Sequence, residues 1–147
     1  MANDETLMIG EILAKVDTAK SKKAKKDLLE QYKKITVLQH YLRGLFDPKV
    51  KWAITEQPDY AEDDITPEGE EANSLYMEIP KCSLFVAGHP KAKGVKPARL
   101  KQILIQVLES LHPTEATLYM QMLKKKTKIK GLTSKLVLEV FPGMYKE

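Results

Sequence analysis

The chain has 147 residues, 43% hydrophobic and 30% charged, with a formal net charge of +4, which fits one soluble domain over residues 1–147 whose core needs no staples. A single cysteine, Cys82, excludes an internal disulfide framework and suits a reducing compartment. Apolar runs such as Ile103–Leu108 are far too short to span a bilayer, and the acidic start Met1–Glu5 lacks a signal-peptide core, so a cytoplasmic protein with no membrane partner is expected.

Helical periodicity dominates the pattern. Leu7, Met8, Ile12, Leu13 and Val16 share a face of a first helix over Leu7–Val16, with Thr6 as its cap. Ser21 opens a second helix, in which Ala24, Leu28, Leu29 and Tyr32 face inward and Lys22, Lys23, Lys25 and Lys26 face out. A third runs over Ile35–Phe46 and ends at Asp47-Pro48. Gly44 inside it costs about 1 kcal/mol in helix propensity, which points to close packing. Val50, Trp52 and Ile54 alternate as a short extended segment. Residues 55–72 read as an acidic surface loop, with Glu56–Glu71 carrying two prolines, one glycine and few apolar residues. A short helix follows from Asn73 or Ser74 to about Ile79 and resumes through Ser83–Ala87; Gly88–Pro97 is a basic turn. Three more helices are predicted at Pro97–Leu111, Pro113–Lys126 and Thr133–Phe141, with both prolines at first-turn positions. The expected fold is all-α, a compact multi-helix domain without internal repeats.

Charge is strongly segregated along this order. Residues 1–54 carry 11 basic and 7 acidic side chains, residues 55–80 carry 9 acidic and no basic ones, and residues 81–147 carry 13 basic and 4 acidic ones. Local potentials of this kind are hidden by the small net charge. The basic residues are lysines except for Arg43 and Arg99. Lysine is a point charge suited to phosphate, whereas bidentate base reading favours arginine. Nucleic-acid binding by this chain is therefore expected to be backbone-directed and salt-dependent.

Other chemistries find little support. His40, His89 and His112 lie on separate elements and Cys82 has no partner at zinc-ligand spacing, so neither a metal nor a cofactor is expected. Cys82 reads as a buried thiol rather than a nucleophile. Asp59, Glu62, Asp63, Asp64, Glu68, Glu70 and Glu71 read as a solvated loop rather than the rigid carboxylates of a two-metal nuclease. The same loop also has the charge to mimic DNA, or to contact a basic protein. Gly88 to Gly94 lacks the Lys-Ser/Thr pair of a phosphate-binding loop. No catalytic residue is assigned, and the expectation is a protein that is not an enzyme.

The most informative segment is Lys124–Met144. Lys124, Lys125, Lys126, Lys128 and Lys130 lead into Gly131, then Thr133 or Ser134 opens a short apolar helix that Pro142-Gly143 stops. A helix start has free N–H groups, and the lysines concentrate anions beside it. This order resembles the last helical element of the N-terminal all-α DNA-binding domain of ATP-dependent DNA ligases of the T-even phage type: a basic helix, a Gly-x-Ser turn, and a short helix ending in aromatic-Pro-Gly. Gly131, Ser134 (or Thr133), Val140, Phe141, Pro142 and Gly143 occupy those positions without a gap. Leu7–Val16, the Lys-rich turn at Thr18–Lys26, Leu28–Tyr32 with the helix to Phe46, and the pair Leu100–Leu111 and Thr114–Lys125 are similar to the family's other helices. One departure is that Lys126-Thr-Lys-Ile-Lys130 stands where the family has Arg-Asp-Leu ahead of the glycine.

The adenylation motif Lys-x-Asp-Gly is missing; Lys15-Val-Asp-Thr18 comes nearest, and the few residues after Phe141 leave no room for the ligase catalytic domain. The resemblance thus implies a free-standing, phage-encoded version of the DNA-binding domain without ligation chemistry. It implies that Gly131 allows close approach of a phosphate, that Thr133 or Ser134 caps the helix while touching it, and that Lys128, Lys130 and Lys135 supply charge. Two further lysine groups, Lys22, Lys23, Lys25 and Lys26, and Lys91, Lys93 and Lys96, lie at turns and helix ends where such a domain meets duplex DNA. The expected function is sequence-independent double-stranded DNA binding in replication, repair or genome handling. The alternative is an interaction module or inhibitor that meets a replication, transcription or host protein through its acidic loop.

Overall fold

The computed structural model describes residues 8–61 and 73–146. Thr6 and Leu7, and the carboxylates from Glu62 to Glu71, lie outside the described residues. Among those described the fold is all-α, with seven α-helices: α1 (Ile9–Thr18), α2 (Lys22–Gln31), α3 (Thr36–Phe46), α4 (Leu75–Glu78), α5 (Pro97–Ser110), α6 (Pro113–Lys124) and α7 (Ser134–Val140).

α6 is the organising helix. Ala116, Leu118, Tyr119, Met120, Met122 and Leu123 are all buried, so it is apolar nearly all round, as a central helix must be. It packs against α1, α3 and α5, while α2 packs against α1 and α7. The α3–α6 contact is pinned by the buried Tyr41 hydroxyl, which donates to the Leu118 carbonyl at 2.8 Å.

Gly44 shows why a poor helix former sits in α3. A Cβ there would stand 2.8 Å from Cζ2 of Trp52 and 2.9 Å from the Met122 sulfur. The Trp52 indole N–H donates to the Gly44 carbonyl at 3.0 Å. Alanine would gain about 1 kcal/mol in propensity, but overpacking against a hydrogen-bonded indole costs about 1–3 kcal/mol. Gly44→Ala is expected to lower stability by about 1 kcal/mol net, measured by urea unfolding followed through Trp52 fluorescence.

The short extended segment expected around Trp52 is present, whereas the helical segment expected after the acidic loop takes a different form. Trp52 forms an isolated antiparallel bridge with Val86, in which Ala53 N–H donates to the Phe85 carbonyl and Ala87 N–H to the Lys51 carbonyl, each at 2.7 Å. The helix expected from residue 73 or 74 with a resumption over Ser83–Ala87 is instead α4 running directly into a 3-10 helix at Ile79–Phe85. Pro80 removes a donor and crowds the carbonyl four residues back, so the α-pattern gives way there. Val86 and Ala87 are then extended, in the bridge rather than in a helix.

A buried carboxyl group ties three helix starts together. Glu115, in the first turn of α6, is fully buried. One oxygen accepts from Gly10 N–H at 3.2 Å, in the first turn of α1. The other accepts from Leu75 N–H at 3.0 Å, the first residue of α4.

Candidate nucleic-acid interface

The lysine-rich segment begins where α6 ends. Lys125 adopts a left-handed conformation at φ 56°, Lys125 N–H donates to the Met122 carbonyl, and Lys126 N–H to that of Gln121. These two bonds are the Schellman arrangement, formed here without the usual glycine. The Lys125 ammonium donates to the Asp47 carbonyl at the end of α3. Burial lowers its pKa, with Asp47 opposing that shift and Lys51 adding to it. Lys125 therefore fastens α6 to α3.

Beyond it, Lys128, Lys130 and Lys135 are exposed. Lys130 N–H donates at 2.8 Å to the Asp17 carboxylate in the last turn of α1. Thr133 caps α7, its hydroxyl accepting from Leu136 N–H at 3.2 Å. Ser134 stands inside the helix, its hydroxyl 2.7 Å from that of the buried Tyr145. Of the two cap residues left open by the sequence, Thr133 is the one used.

The second element of the interface is α2. Ser21 caps it, accepting from Ala24 N–H at 3.1 Å, and Lys22 and Lys23 are exposed. Lys25 corrects the expectation that it faces out: its relative exposure is 8%. Its ammonium donates to the carbonyls of Val16 at 2.8 Å and Asp17 at 3.3 Å, at the C-terminal end of α1, where a cation is favoured. The apolar stem is buried, as lysine stems can be. That stem lies against Gly131, where a Cβ would stand 2.9 Å from two of its carbons and the backbone has φ +74°. Gly131 is thus required by its left-handed turn and by Lys25.

These contacts bring the first and third lysine groups onto one face. Lys22 and Lys26 reach across to Glu139 of α7, at 3.2 and 3.7 Å, while Lys23 pairs with Asp27 at 3.1 Å. The hydrogen bond from Lys22 lowers the Glu139 carboxyl pKa, opposed by some loss of hydration and helped by the charges of Lys22, Lys26 and Lys135. The cluster accordingly persists to lower pH than an unpaired glutamate would allow, and is lost as pH falls through the lowered pKa. Lys124 and Lys126 are exposed where the segment begins.

The third expected group stands elsewhere. Lys91, Lys93 and Lys96 are exposed around the 3-10 turn Pro90–Ala92, which packs on the Ile79–Phe85 turn. His89 caps that turn, accepting from Lys91 N–H at 3.1 Å. Among the described residues, no hydrogen bond or ion pair links this group to the other two.

Cys82 is partly buried, and burial pushes its thiol up to about 11, which leaves it protonated and poorly nucleophilic near neutral pH. Among the described residues no three His, Cys, Asp or Glu side chains are grouped to hold a metal. No helix among them is long and apolar enough to cross a membrane.

Fold and site together define an all-α protein with a lysine-rich face built from α2, the turn after α6, and α7. The chain belongs to a family of unknown function, DUF6433, whose family model matches residues 12–129. That span runs from within α1 to the lysine-rich turn, ahead of Gly131 and α7. No curated protein matches the chain.

Proposed function

We propose that this is a non-catalytic, cytoplasmic protein that binds double-stranded DNA without sequence preference, phage-encoded and acting in replication, repair or genome handling. One observation carries the reading: two lysine groups more than a hundred residues apart in sequence meet on one face, joined by the Lys22–Glu139 and Lys130–Asp17 contacts. Lys22, Lys23, Lys128, Lys130 and Lys135 stand exposed there. Point charges of this type meet phosphates and carry no base information. Lys25, Gly131 and Lys125 hold the face in shape, while Thr133 fixes the start of α7. The likeness to the ligase DNA-binding domain supports the same reading, through the Gly131-to-Gly143 order.

With about six phosphates engaged, affinity for a short duplex is expected to fall by roughly three orders of magnitude between 50 and 200 mM salt. Fluorescence anisotropy with labelled duplexes of unrelated sequence measures this, and absence of binding at 50 mM salt would sink the proposal.

The separation of Lys91, Lys93 and Lys96 from that face favours a second reading, an interaction module for a replication, transcription or host protein. Its charged face would be Glu56–Glu71. A stoichiometric, nuclease-insensitive partner, lost on deletion of that segment, would support this reading over the first.

A further inference from the structure

We infer that the position held by the Glu139 carboxylate is a phosphate site, and that Glu139 competes with the ligand for it. This rests on the DNA reading above. Lys22 and Lys26 come from α2 and Glu139 from α7, and no short-range helix spacing forces them together: 117 residues separate Lys22 from Glu139. The Lys22 ammonium donates to one Glu139 oxygen at 3.2 Å, and Lys26 lies 3.7 Å from the other. Lys135, one turn earlier on α7, adds its charge to the same carboxylate. Two ammonium groups from α2 thus meet the two oxygens of one carboxylate carried by α7.

A phosphodiester likewise shares one negative charge over two oxygens, on a tetrahedral phosphorus rather than a trigonal carbon, and lysines receive either anion as a point charge. A duplex laid on this face would meet Lys22 and Lys26 already paired, and Glu139 would repel its phosphate. Binding then requires the carboxylate to swing out into water. All three partners retain solvent access: the side chains of Lys22, Lys26 and Glu139 are 62%, 40% and 31% exposed. The exchange therefore needs only side-chain rotation, and surface pairs of this kind are held weakly enough to be exchanged. Glu139 sets a ceiling on affinity and makes the face less attractive to stray polyanions.

The test compares the full-length protein with Glu139→Gln and Glu30→Gln by duplex anisotropy across 50–200 mM salt. Both variants change net charge equally, but Glu30 pairs with Lys33 at 3.7 Å, outside the cluster. Glu139→Gln is expected to bind about threefold to tenfold tighter than wild type, with a steeper salt slope by about one to two. Glu30→Gln is expected to gain less than half of that in log affinity. Adding Lys22→Ala and Lys26→Ala to Glu139→Gln is expected to abolish the gain. Equal gains in the two glutamine variants would mean a net-charge effect and overturn the inference, as would no gain from Glu139→Gln in a protein that binds. Binding by Glu139→Gln but not by wild type supports it. Binding by neither overturns both the site and the DNA reading, whereas wild-type binding with no Glu139 effect overturns the site alone.

Discussion

Glu115→Ala is expected to lower the unfolding free energy by about 3 kcal/mol, because a buried donor left without its acceptor costs about 1–3 kcal/mol. Two such donors depend on this one side chain, Gly10 N–H of α1 and Leu75 N–H of α4. Both belong to the orphan amides that every helix start must satisfy, and water cannot replace the carboxyl group at a fully buried position without opening the packing. Glu115→Gln separates hydrogen bonding from shape. Its single acceptor oxygen can serve one amide, while its NH2 faces the other, donor against donor. Glutamine is therefore expected to recover less than half of the loss. Urea unfolding by circular dichroism reads both, and a change below about 0.5 kcal/mol for alanine would contradict this role. Since Leu75 begins the segment that follows the acidic loop, the loss should appear first as faster amide exchange in α4.

Glu115 also shows what sequence reasoning could and could not reach. The apolar stripes placed all the long helices within a few residues, Ser21 was recognisable as a cap from residue type alone, and the cap of α7 was narrowed to Thr133 or Ser134. Gly44 was legible as a packing position because its propensity penalty demanded a compensation, which Trp52 and Met122 supply. The buried charges were missed for one reason. Lys25 was assigned outward by its charge, yet it lies four and seven positions before Leu29 and Tyr32, on the same buried stripe. Glu115 is related in the same way to Tyr119 and Met122. The helical period held the signal, and assigning residues by polarity overrode it. What periodicity cannot supply is the partner: the carbonyls of Val16 and Asp17, or the amides of Gly10 and Leu75, come from other elements. The candidate face was half legible on the same grounds. Of the four lysines placed outward on α2, Lys22 and Lys23 are exposed while Lys26 is half-buried and Lys25 buried, and the meeting of the first and third groups follows only from α2 packing on α7.

Replacing Lys128, Lys130 and Lys135 together with alanine is expected to weaken duplex binding by roughly a hundredfold or more near 100 mM salt, and to flatten the salt slope by about 2.7. The argument is counterion release: each lysine that neutralises a phosphate frees about 0.9 of a condensed cation, so three contacts carry close to three decades at that salt. All three side chains are exposed, so stability should change by less than about 0.5 kcal/mol per site, and a lost affinity cannot be charged to unfolding. Thermal melts of the same preparation check that. The loss should be the same for A·T-rich and G·C-rich duplexes, because lysine at a turn beside a helix start meets phosphate oxygens and leaves base edges unread. Lys91, Lys93 and Lys96 supply the contrast. Their removal takes away an equal formal charge from a different part of the surface, and is expected to leave affinity for a short duplex within about threefold. Equal losses from the two triple variants would mean that only the overall charge of the protein matters, and the face formed by α2, the turn after α6, and α7 would then have no special claim on the duplex.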